Sequence, residues 1–244
     1  MIREKTILVI TVFVLVGIAV MFNFGKANGS SNDNHQAAKI LDEIELSSRT
    51  AKAAETAKLF SKLPASFDDK KSLLRAAQLH RRLVFNFWAA GGDQKKPMAE
   101  HIMQASAFAH KALSGKELAA FEAEIGNQLM TKGMPLLAIP ILLNAVKVYE
   151  QSGVPSSNDV AMAKYDLGLC LTTCLFGAGG NLSVNGKQLC WADAERQLSE
   201  AASIFRRTGN RELESSCMAD LEDAREMQGQ EPPPALRRYT LGSQ

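Results

Sequence analysis

Four histidines, four cysteines and one glycine-rich run are the parts of this 244-residue sequence that could do chemistry. His35, His80, His101 and His110 form no HExxH and no pair at i and i+4, so no single helix offers two imidazoles to one metal ion. Each reads most simply as a helix-surface or core residue. Cys170, Cys174, Cys190 and Cys217 lack the CxxC pairs of a four-thiolate zinc site. Cys170 and Cys174, four apart on one predicted helix, are also poorly placed for a mutual disulfide, which leaves reduced core packing as the favoured use. The run CLFGAGGNLSVNGKQLCW, residues 174 to 191, carries Gly177, Gly179, Gly180 and Gly186 without the GxGxxG order. It follows a helix, whereas a dinucleotide loop leaves a buried strand so that phosphate meets a helix N-terminus. There is no GxSxG and no Walker sequence. Glu122 with Glu124, and Asp220 with Glu222 and Asp223, read as solvated helix faces. No metal, no cofactor and no catalytic activity are expected.

The elements that would position any site are helices. From His35 to Leu63 apolar positions recur at helical spacing through Ile40, Leu41, Ile44, Ala51, Ala54, Ala57 and Phe60, until Pro64 stops the pattern. No segment alternates with period two over a useful length, so the class is all-α. Residues 6–24 hold nineteen residues without a charge, which at about 1.5 Å each span about 28 Å, close to a bilayer's hydrocarbon core. An uncleaved anchor over residues 1–25 is favoured over a signal peptide, whose apolar region is usually shorter, although Arg3, Lys5 and the small residues Ala27 to Gly29 suit one. The basic residues before the span put the N-terminus on the cytoplasmic side, an arrangement that an organelle outer membrane could reverse. Residues 26–34 read as a flexible spacer, 35–63 as an amphipathic helix, 70–228 as one helical domain and 229–244 as a Pro-containing tail.

The long helical domain repeats itself. In residues 121 to 153 Gly126 is followed three positions on by Leu129 and twelve on by Ala138, then Leu142 and Ala145. Leu167, Gly168 and Leu171 stand in the same relation, with Ala194, Leu198 and Ala201 as the second set. Twenty-six residues separate Gly168 from Ala194, an excess of fourteen that falls in the glycine-rich run. A weaker copy upstream sets Leu79, His80 and Leu83 at the first-helix positions, aligned through the two AGG triplets. Small residues at these positions let two helix backbones approach, and TKGMP supplies the turn between them. The pattern resembles the tetratricopeptide repeat, a helix-turn-helix of about 34 residues whose pairs stack into an α-solenoid. Glu122, Leu129 and the missing final proline depart from that family's pattern.

The resemblance implies antiparallel helical hairpins closed by a polar last helix over residues 211 to 227, and a groove lined by the first helices that holds a segment of another protein. The carry-over names Arg81, Asn127, Met130, Tyr165, Leu169 and Thr172 as a mixed, partly apolar groove suited to an amphipathic helix. Packing against a neighbouring hairpin is the alternative for each. The family's grip on chaperone C-termini is disfavoured because Asp166 would repel a carboxylate. A net charge of +2 gives no reason to expect nucleic acid. Locally the balance is uneven, with eight Lys or Arg against three Asp over residues 62–96 and nine Asp or Glu against five Arg over 192–228. The sequence therefore points to a single-pass, membrane-anchored adaptor, its layout similar to that of the organelle presequence receptor, in an organelle or in a bacterial inner membrane with a periplasmic domain. A structural subunit of a membrane complex is the alternative, and an enzyme with its site in the N-terminal half a remoter one. Asn28-Gly29-Ser30 and Asn181-Leu182-Ser183 are glycosylation sequons if that part lies in a secretory lumen.

Overall fold

The computed structural model of the chain describes residues 31–50, 52–64, 66–91, 94–153 and 157–228. The anchor of residues 6–24 and the tail of 229–244 lie outside them. The described residues are nearly all helical: α1 Ser31–Thr50, α2 Ala53–Phe60, α3 Lys70–Ala90, α4 Lys95–Ala112, α5 Gly115–Thr131, α6 Pro135–Gln151, α7 Asn158–Gly177, α8 Trp191–Thr208 and α9 Arg211–Met227, with strands β1 Asn181–Val184 and β2 Lys187–Cys190 between α7 and α8. They divide into two compact units at Ser114 and Gly115, a boundary that falls inside the single domain expected over 70–228.

In the unit of residues 31–114 the pair α3 and α4 is the body, and α1 and α2 lie against α3. Leu41, Ile44, Leu83 and Ala105 are fully covered there. Ser31 to Asn34, the described part of the expected 26–34 spacer, are instead the first turn of α1. Asn34 accepts backbone hydrogen bonds from Asp68 and Asp69 at 3.0 and 3.2 Å, and Asp33 accepts from the Ser66 hydroxyl, so they fasten the loop that enters α3. That loop ends in the cap of α3, where the Asp69 carboxylate takes the Ser72 amide at 2.8 Å. The single helix expected over 35–63 is two. Ser48 and Thr50 turn their hydroxyls back onto the Glu45 and Leu46 carbonyls, Lys52 is extended, and the chain re-enters a helix at Ala53. Arg75 then clamps α1 to α3 through Asp42 and Glu45, each at 2.6 Å.

In the unit of residues 115–228, α5 folds back on α6 and α7 on α8, while α9 covers α8. The two backbone approaches read from the sequence are both made. A Cβ at Gly126 would overlap Leu142, and one at Gly168 would lie 2.7 Å from Leu198. Leu142 and Leu198 are each fully buried in those contacts. Across Lys132 to Met134 the turn is short; Pro135 then opens α6 at a position where no amide is needed, and the helix runs on through Pro140. Fourteen of the twenty residues of α7 are buried, which makes it the central helix of the unit. Among the described residues α7 is the one helix long and apolar enough to cross a membrane, and 78% of that stretch is covered by its neighbours.

The glycine-rich run corrects the expectation that no segment alternates with period two. Residues 181–190 form an antiparallel hairpin in which Leu182 faces Leu189 and Val184 faces Lys187. Leu182, Val184 and Leu189 are buried while Asn181 and Gln188 are exposed. Asn185 and Gly186 take positive φ of 50° and 76°, the two left-handed residues that a tight hairpin turn requires. Trp191, the first residue of α8, closes against Gly180, where a Cβ would come within 3.1 Å of the indole nitrogen.

Candidate binding face

The residues proposed for a groove lie in both units. Arg81 belongs to α3 in the unit of residues 31–114 and is half-buried. The other five lie on α5 and α7; polar bonds across first helices fix two of them and a bond within α7 fixes a third. Asn127 donates from Nδ2 to the Asp166 carboxylate at 2.9 Å, joining α5 to α7. Tyr165 donates its hydroxyl to Asp220 at 2.5 Å, joining α7 to α9. Thr172, buried, turns its hydroxyl onto the Gly168 carbonyl at 3.0 Å within its own helix. Met130, one turn beyond Asn127, and Leu169, one turn beyond Tyr165, remain half-exposed. The face thus combines a polar ladder, whose hydrogen bonds are made internally, with an apolar strip left partly open.

The ladder holds a buried carboxylate. Asp166 is 4% exposed, and burial raises its carboxyl to about 6 against the opposing effect of the Asn127 hydrogen bond. Burial also raises the Tyr165 phenol, and the hydrogen bond to Asp220 raises it further. Elsewhere on α7, buried Lys164 sends its ammonium to Glu150 of α6 at 2.6 Å and Glu200 of α8 at 2.5 Å, binding three helices together. These three residues, with Ser203, Ile204 and Arg207, line an open depression of about 220 Å³. Both carboxylates there are already held by the lysine.

The three buried thiols stay protonated at neutral pH. Cys170, Cys174 and Cys217 are free and buried, as core packing requires, and Cys190 is exposed at the start of α8. Burial pushes the Cys174 and Cys217 thiols up to about 12 and raises that of Cys170 as well, so none is a thiolate. No group of three or more His, Cys, Asp or Glu suited to a metal occurs among the described residues.

Two features escaped the reading by spacing. His80 and His101 meet across α3 and α4 with their Nδ1 atoms 2.8 Å apart. They are twenty-one positions apart in sequence, beyond any helical repeat, although the alignment that set His80 in the place of Gly126 and Gly168 does mark it as a helix-contact residue. Glu122, expected on a solvated face, is fully buried and accepts from Asn144 of α6 at 2.5 Å. Its neighbour Glu124 is exposed, as are Glu222 and Asp223, while Asp220 is half-buried. Comparison of the chain with protein-family models, with curated proteins and with solved structures returned no match.

Proposed function

We propose that this chain is a membrane-anchored adaptor whose tetratricopeptide-like helix pairs hold a segment of another protein, without catalysis of its own. The observation that carries the reading is the repeated contact in which Leu142 sits over Gly126 and Leu198 over Gly168, two successive helix pairs with one packing rule. It supports a row of first helices, α5, α7 and α9, with the Asn127 to Asp166 and Tyr165 to Asp220 bonds as its rungs. On this reading the partner lies along Met130 and Leu169, the apolar strip that the rungs leave open, and an amphipathic helix is the segment that fits. The uncharged residues 6–24 hold the chain at a bilayer.

Photo-crosslinking tests both halves. A photoreactive residue at position 130 or 169 of the full membrane-inserted chain should capture one protein species, and the same residue at exposed Glu124 should not. Equal labelling at all three positions, or none, would sink the adaptor reading. Deleting residues 6–24 should release the chain from membranes that resist alkaline extraction.

A further inference from the structure

His80, 4% exposed, and the half-buried His101 meet between α3 and α4 in the 31–114 unit. With Nδ1 facing Nδ1 at 2.8 Å, one imidazole must donate and the other accept, so the bond exists only while at least one ring is neutral. Aromatic rings enclose the pair. Phe60 of α2 lies 3.8 Å from His80 and 5.6 Å from His101, Phe108 of α4 lies 5.5 Å from His80, and Phe87 of α3 lies 5.8 Å from His101. Of the charges on the packed elements, Glu55 of α2 and Glu100 of α4 are exposed to solvent. Asp42 and Glu45 of α1 are held by Arg75, Arg82 of α3 reaches Ser48, and Lys111 of α4 stands 6.0 Å from the centre of the Phe108 ring. Among the described residues no carboxylate acts on either imidazole: the charge felt by His80 is that of His101, and His101 feels burial.

We propose that the His80 and His101 pair is an acid-sensitive latch, which joins α2, α3 and α4 at neutral pH and opens them when the medium is acidified. With both rings charged, two N–H donors would face one another with no acceptor between them. Burial holds His101 down to about 4 and His80 well below the ordinary imidazole range, with His101 adding to the effect on His80. Folded-state values below the free value of about 6.5 mean that the unfolded unit binds more protons in between. The latch therefore contributes fully above about pH 6.5, and its contribution drains away as pH falls toward 4.

The test uses the full chain in detergent micelles, labelled with ¹⁵N at its four histidines. At pH 7 the ring-nitrogen shifts of His80 and His101 should be those of two neutral imidazoles, one of them the Nδ1–H tautomer. An imidazolium signal from either at pH 7 overturns the latch, and this readout needs no variant. Hydrogen exchange of α2 to α4, corrected for intrinsic rates, gives the opening constant of the unit. In the wild type it should rise between pH 6 and 4.5 by up to ~100-fold per pH unit, as two protons are taken up. In His101→Asn, whose amide can keep the bond at the Nδ1 position, it should rise by only ~10-fold per pH unit. Equal slopes in the two chains overturn the proposal.

Discussion

A buried side chain that can change charge pulls on stability in a direction set by its own chemistry, and Asp166 pulls opposite to the histidine pair. Its carboxyl, raised to about 6 from an unfolded value of 3.8, favours the folded unit fully at low pH, and that contribution is lost as pH rises through 6. Asp166→Asn should therefore stabilise the 115–228 unit by about 1–2 kcal/mol at pH 7 and have little effect at pH 4, read from urea midpoints at the two pH values. Lys164 is the complementary case. Lys164→Ala leaves Glu150 and Glu200 facing each other, and should cost about 1–3 kcal/mol because both glutamates keep part of their water. Of these residues the sequence disclosed least. Asn127 and Asp166 stood out as groove positions, but a pattern of types cannot say that one is the other's partner. His80, Glu122 and Lys164 look like surface residues in any periodicity that counts only apolar positions, since the groups that satisfy them come from distant helices.

Helix contacts were the most legible level. Gly126 and Gly168 declared the backbone approaches because only a missing Cβ admits a leucine there, and both leucines were in register. Gly168→Ala should cost about 1–3 kcal/mol by overpacking, with a like cost for Gly126→Ala, measured by chemical denaturation. The ends of elements were harder to read. Ser31 to Asn34 look like spacer because polar residues serve linkers and helix starts alike, and Ser47 to Thr50 give little warning that they stop a helix. The β hairpin did carry a signal, Asn185-Gly186 between Leu182, Val184 and Leu189, but four-residue strands are too short for alternation to stand out against the helices around them. Gly186→Val puts a β-branched side chain at a φ of 76° and should destabilise the unit by about 1–3 kcal/mol while leaving the helical circular dichroism unchanged below the transition.

At the scale of the whole chain, two units with separate cores should melt separately. Each owns one of the two tryptophans, Trp88 at 42% exposure in the first and Trp191 at 7% in the second. Between pH 6.5 and 5 the transition reported by Trp88 in a Trp191→Phe chain should fall in temperature relative to that reported by Trp191 in a Trp88→Phe chain, because His80 and His101 act in one unit and Asp166 in the other. A single shared transition at every pH would show that the units unfold together. Sequence length alone did not disclose this division, since a repeat pattern continues across Ser114 and Gly115, where the two units divide. The hairpin between α7 and α8 bears on how continuous the polypeptide needs to be. Leucine meets glycine in the same way across the short Lys132 to Met134 turn and across the whole of Gly177 to Trp191, so the length of the link does not decide the match. Cleaved between Asn185 and Gly186, the chain should give two fragments that find each other again in solution, a ready-made split reporter whose reassembly depends on Gly168 and Leu198.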